Sequence, residues 1–140
     1  MNYRVIQGAK TMSRFCRLQM KKKMDIPIRA SEMGVLIFVH EQKAPVTPIA
    51  ISEAFKMKKP SVTAMVKALT KGNYLYKTPS KSDKRSYTLQ TTSKGDALVK
   101  NTFDDYHETI TRLKREMGKD RFKALLSLLE DANAILSEEH

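Results

Sequence analysis

Only one cysteine, Cys16, occurs in the 140 residues, which excludes an internal disulfide and fits a reducing compartment. Long apolar runs are missing as well. The longest, Val35 to Val39, is far too short to span a bilayer, and the N-terminal residues alternate charged with apolar side chains and offer no signal-peptide core. A cytoplasmic protein is the expectation. Catalytic signatures are equally scarce: there is no Gly-rich phosphate loop, no Cys/His pair at useful spacing, and His40, His107 and His140 are isolated from one another. Neither an enzyme nor a bound cofactor is therefore expected. His107 does have Asp104, Asp105 and Glu108 as sequence neighbours, but such positions point in different directions around a helix, and no metal site is expected there.

Acids are few relative to bases, 15 against 26, for a net charge of +11. Their distribution is informative. Residues 1–40 hold eight Lys/Arg and two acids, 41–90 ten and three, and 91–140 eight and ten. Between Ala54 and Gln90 nine cations face the single carboxylate of Asp83. A one-sided basic segment of this kind is the footprint expected of phosphate contact. The length suits one domain, or one small domain with dimerisation arms.

The basic segment is also where the local signals are clearest. Thr47-Pro48 pairs an N-cap hydroxyl with a proline in the first turn and opens a short helix through Ile51, Ala54 and Phe55,. After Lys56-Met57-Lys58, Pro60 marks a second helix start,. In that helix Val62, Val66 and Leu69 share one face, leaving Ser61, Thr63, Ala64, Lys67 and Lys71 on the other,. The outward face is small, polar and cationic, and such a face can enter a major groove. An ordinary solvated helix face is the alternative. Asn73 suits a left-handed helix end, Tyr74 to Thr78 reads as a strand, and Ser86 to Thr91 as its partner,. The loop between them, Pro79 to Arg85, makes a hairpin with a charged tip. Two short helices and a hairpin form a winged helix-turn-helix.

Outside this segment the pattern is helical. Asn2 to Lys23 carries Val5, Ala9, Met12 and Cys16 on one stripe, with Lys21, Lys22 and Lys23 placed to close its C-terminus against the helix dipole,. Ser31 to His40 is dense in apolar groups and is expected to be innermost. Thr92 or Ser93 can cap a long helix to about Met117 with Tyr106, Ile110, Leu113 and Met117 aligned; Gly118 ends it, and a last helix from Asp120 carries Phe122, Leu125, Leu126, Leu129 and Leu136. These stripes exceed what one small winged helix can cover, and packing of both ends against a second copy would bury them. The expected division is 1–30 and 96–140 for dimerisation and 31–95 for the winged helix-turn-helix, in a mainly α fold with one small β-hairpin.

The order of Glu32-Met33-Gly34-Val35-Leu36, Val62-Thr63, Leu69, Tyr74-Leu75, Asp83-Lys84-Arg85, Leu89 and Thr92-Ser93-Lys94-Gly95 resembles the MarR family of winged-helix transcriptional regulators. The resemblance covers roughly residues 28–95. Four positions depart from the usual pattern: Ala64 stands where Arg is common, Thr70 where Glu is, Asn73 where a turn glycine is, and Ile51-Ser52 where Leu-Ala is. The family's common partner for the wing carboxylate is thereby lost. The resemblance implies a homodimer on a two-fold-related operator in double-stranded DNA, acting as a repressor released when a small molecule or oxidant changes the separation of its two DNA-reading lobes. It implies DNA contact by Lys58, Lys59, Ser61, Thr63, Ala64 and Lys67 on the second helix and by Lys81, Asp83, Lys84 and Arg85 in the wing. An oxidant would have Cys16 as its target, although a lone cysteine on an apolar helical stripe is ordinarily a packing residue. A different class of function, a winged helix whose basic face docks an acidic protein, is separated from this one by salt-dependent preference for one palindrome.

Overall fold

A computed structural model describes residues 1–19, 25–83 and 85–137, with Tyr106 represented by its backbone alone. Among these residues the chain forms α1 (Tyr3–Gln19), α2 (Ala30–Glu41), α3 (Pro48–Phe55), α4 (Lys59–Lys71), β1 (Leu75–Pro79), β2 (Tyr87–Thr91), α5 (Ser93–Met117) and α6 (Lys119–Ser137). This is the mainly helical winged helix-turn-helix expected from the sequence. The expected continuation of α1 to Lys23, with its closing lysines, falls on residues outside those described.

Helix α2 is apolar nearly all round because it is covered nearly all round. Its Met33, Val35, Leu36, Ile37 and Val39 are buried against Ile51 of α3, Val62, Val66 and Leu69 of α4, Leu75 and Leu89 of the hairpin and Val99 of α5. Each such side chain contributes roughly 1.5–3 kcal/mol by leaving water. At its start, the Glu32 carboxylate accepts from the Arg29 amide at 2.9 Å, satisfying one of the orphan donors of a helix N-terminus,. Helix α3 begins as its sequence directs, with Thr47 Oγ1 accepting from the Ala50 amide and Pro48 in the first turn.

The hairpin pairs Leu75 with Thr91 and Pro79 with Tyr87 in antiparallel register. Only one residue of each strand is buried, Leu75 at the start of β1 and Leu89 in the middle of β2, and Tyr87 packs partly buried against the same core. Val46, in the loop before α3, adds a third short edge by exchanging both backbone hydrogen bonds with Leu89. The base therefore behaves as a small three-stranded sheet packed on α2.

The arms are different. Neither α1 nor α6 buries a residue within the chain. The stripe expected on α1 is present, yet Val5 and Met12 lie open, as do Leu126, Leu128, Leu129, Ile135 and Leu136 on α6. Gly118, at φ 86°, adopts the left-handed backbone that lets α5 end and α6 turn away,. Helix α5 runs unbroken from the winged helix, where Val99 is buried, into the arm.

Candidate nucleic-acid interface

Helix α4 is presented by its neighbours at both ends. Before it, the three-residue turn is shaped by Lys56 at φ 53°, a left-handed conformation that costs a non-glycine residue of order 1 kcal/mol or more,. Hydrogen bonds hold that strain in place: the Met57 amide donates to the Ser52 carbonyl at 3.1 Å and the Ser52 hydroxyl donates to the Met57 carbonyl at 2.6 Å. The edge-on contact of Phe55 with Phe38, 5.6 Å between ring centres, ties the same turn to α2,. Ser52 is a departure from the family pattern, and here it staples the turn.

Pro60 sits at the second helical position of α4, with Lys58 as N-cap. Inward go Val62, Val66 and Leu69, all essentially inaccessible; outward go Lys59, Ser61, Thr63, Ala64, Lys67, Ala68 and Lys71. The Thr63 hydroxyl donates to the Lys59 carbonyl one turn back, at 3.0 Å. Thr70, the second departure, turns inward in the same manner and donates to the Val66 carbonyl at 2.7 Å.

The far end of α4 closes in a Schellman motif. The Tyr74 amide donates to Leu69 and the Asn73 amide to Thr70, with Asn73 left-handed at φ 64°,. The first turn of α5 then grips this motif. Thr92 Oγ1 donates to the Asn73 carbonyl at 2.7 Å and its amide to the Tyr74 carbonyl at 3.0 Å. Lys94 Nζ donates to the Gly72 carbonyl at 2.8 Å while lying 4.5 Å over the Tyr74 ring,. Gly95 is required by the closeness of that grip: a Cβ there would stand 2.3 Å from the Tyr74 carbonyl oxygen. Between Thr92 and Ser93 as candidate caps, the structure selects Thr92, whose Oγ1 accepts from the Gly95 amide at 3.0 Å.

With Thr92 as the cap, Asp96 reaches away from the helix end. It accepts from the Thr91 hydroxyl at 2.6 Å and lies 2.8 Å from His40 Nδ1 on α2. The Thr91 hydroxyl first, and the His40 ring second, hold its carboxyl below the ordinary carboxylate range,. Thus α5 is tied to α4 on one side and to α2 and the hairpin on the other.

In the wing, Asp83 has a local role. Its Oδ1 accepts from the Arg85 amide at 2.9 Å and its Oδ2 from the Ser86 hydroxyl at 3.3 Å. The carboxylate that lost the family's usual arginine partner is held by its own turn, as an Asx turn. Lys81 and Arg85 are exposed on either side of it, and Lys84 lies outside the described residues. Nearer the base, Lys77 Nζ stands 4.5 Å over the Tyr87 ring.

The structure brings Lys58, Lys59, Ser61, Thr63, Ala64 and Lys67 to one exposed surface of α4, and places Lys81, Asp83 and Arg85 on the hairpin tip. Sequence reasoning did not single out Lys94, Gly95, Asp96 or His40 for a role. The Thr92-to-Gly95 motif was visible, but Ser93 with Asp96 three residues on also fits a capping box, which masks the outward reach of Asp96. Elsewhere, His107 Nδ1 lies 2.8 Å from the Phe103 carbonyl of its own helix. Among the described residues no three His, Cys, Asp or Glu converge as a metal site would require, and no helix is long and apolar enough to cross a membrane.

No curated protein matches the chain. Several solved structures share its fold. The Staphylococcus aureus MepR–DNA complex superposes with a TM-score of 0.75 at 17% identity, covering 96% of this chain and 98% of that one. A MarR protein from Peptoclostridium difficile gives 0.75 at 18%, covering 99% and 91%. FabT of Streptococcus pneumoniae in complex with DNA gives 0.69 at 18%, covering 99% and 100%. At these identities the likeness is one of fold. Residues 25–86, which hold α2, α3, α4, β1 and the turn of the hairpin, match the model of the MarR family. The match to the MarR family is carried by this winged-helix body, from just before α2 to the turn of the hairpin.

Proposed function

We propose that the protein is a homodimeric, sequence-specific DNA-binding transcriptional regulator that occupies a two-fold-related operator as a repressor. The observation that carries this is the division of α4 into a fully buried apolar face and an outward face of small, polar and cationic residues. That helix lies in a segment where nine cations accompany one acid. In this reading α4 enters the major groove, with Lys58, Lys59 and Lys67 reaching phosphates or base edges, Ser61, Thr63 and Ala64 allowing close approach, and the wing's Lys81, Lys84 and Arg85 reaching the flanking minor groove or backbone. Asp83, which accepts from the Arg85 amide and the Ser86 hydroxyl, sets how the wing meets the DNA. Residues 31–95 are the reading lobe, and 1–30 with 96–140 are the dimerisation arms. The neighbours solved with DNA, MepR and FabT, support the choice of partner.

Release is proposed through a small molecule or oxidant that moves the lobes. A crevice of about 400 Å3 between α2 and α5, lined by Ile37, His40, Val99, Lys100 and Phe103, is placed to act on α5. Cys16, exposed on α1, is the chain's one thiol for an oxidant. Selection of bound duplexes from a random pool tests the function. A two-fold-symmetric site should emerge, and affinity for it should fall steeply with salt, by a log–log slope of roughly 0.9 for each phosphate neutralised. Sequence-blind, weak binding together with tight capture of an acidic protein would contradict it.

A further inference from the structure

Helix α4, Lys59–Lys71, contains no Arg, Asn, Gln, Asp or Glu. Arg reads guanine with two hydrogen bonds, Asn and Gln read adenine in the same way, and the acids accept from cytosine. The exposed arc is instead Ser61, Thr63, Ala64, Lys67 and Ala68, with Lys59 and Lys71 towards its ends. At about 100° per residue, Ala64 falls near the middle of that arc, between Lys67 and Ala68. Thr63 is further restricted, since its hydroxyl hydrogen is already given to the Lys59 carbonyl. Towards a base it offers a lone pair and a methyl group. Without a long planar side chain on this face, the helix can settle close against the groove floor.

Thymine carries the one apolar group that a base pair displays in the major groove, its C5-methyl. We propose that α4 distinguishes its operator through thymine methyls packed against Ala64, Ala68 and the Thr63 methyl, so that its ligand class is a duplex with thymine-rich half-sites. Lys67, mid-arc, is the residue with the reach to add a guanine contact. The wing agrees from a separate direction: Lys81 and Arg85 are exposed at the hairpin tip, and such cations are drawn into the narrow minor groove of A-tracts. This inference rests on the DNA-binding function proposed above.

Deoxyuridine tests it, because it pairs as thymine does and lacks only the methyl. In the selected operator, replacing half-site thymines one at a time should weaken binding about four-fold at each methyl that meets the helix, the transfer value of one buried methylene-sized group. Replacement between the half-sites should change nothing. Ala64→Gly should abolish the sensitivity at one position, and Ala64→Ser, which keeps the Cβ but adds a hydroxyl to the apolar contact, should reduce it. If the fully deoxyuridine-substituted operator binds as tightly as the original and is still preferred over random duplex, methyl reading is overturned while the DNA-binding function stands. If no duplex is preferred over random sequence, both fall. Half-sites selected without thymine opposite α4 also overturn the inference.

Discussion

The winged-helix body and the helical arms are built from similar amphipathic segments, but their apolar residues end in opposite places. In the body, Met33, Leu36, Ile51, Leu69 and Leu89 are wholly covered. Along α1 and α6 nothing is buried, although both carry apolar positions at helical spacing. Helices gain most of their stability from packing an apolar face and little from propensity alone. The body therefore supplies its own partner surfaces within one chain, while the arms leave their apolar positions uncovered, as the proposed dimer requires.

Breaking the arms should give the largest effect. Leu126 and Leu129 are 45% and 40% exposed in the single chain, and Asp at either would put an unpaired charge into the proposed interface at a cost of roughly 3–5 kcal/mol. Sedimentation should then show monomers or unfolded chain. Leu36→Ala in the body should instead lower unfolding free energy by about 2–5 kcal/mol through a cavity, at any protein concentration. If Leu129→Asp left association intact, α6 would not be part of the interface.

A smaller change sharpens the comparison at the joint of the two regions. Ala in place of Gly would ordinarily stabilise a helix by up to ~1 kcal/mol. At Gly95 the new Cβ meets the Tyr74 carbonyl oxygen, so Gly95→Ala should destabilise by about 1–3 kcal/mol and weaken operator binding with it. A raised melting temperature would show that α5 does not grip the end of α4.

Much of this was legible in sequence because it was local. Thr47-Pro48 and Pro60 announce their helices, Asn73 its left-handed end, and the spacing of Val62, Val66 and Leu69 the buried face of α4. What escaped depends on contacts distant in the chain. Lys94 reaches a carbonyl 22 residues away and His40 an aspartate 56 residues away, and no periodicity announces either. Asp83 is a different case: the sequence shows a wing carboxylate without the family's common arginine, and the turn that holds it, through a backbone amide and a serine hydroxyl, has no signal in residue type alone.

Within the winged-helix body, α4 and the hairpin should fail differently. Replacing Lys67 or Thr63 by Ala should change base preference by roughly 1–3 kcal/mol at the affected position. Arg85→Ala should weaken all duplexes nearly equally and reduce the salt slope by about 1. Unchanged affinity for every duplex would remove Arg85 from the interface.

The smallest effect on stability belongs to Asp83→Ala. An exposed turn carboxylate contributes on the order of 0–1 kcal/mol, so thermal unfolding should barely move. Binding should respond more, because repulsion from phosphate falls while the turn loses its hydrogen bonds. Affinity for random duplex should rise and discrimination should drop; full discrimination would mean that Asp83 does not organise the wing.

In the proposed assembly, one self-sufficient winged-helix body per chain is paired through arms that are incomplete alone. Sedimentation of the unmodified protein, free and with the selected duplex, tests it most directly. A particle of twice the chain mass is expected at low micromolar concentration, with two chains on each two-fold-symmetric duplex. A stable monomer that binds a single asymmetric site with α1 and α6 uncovered would contradict it.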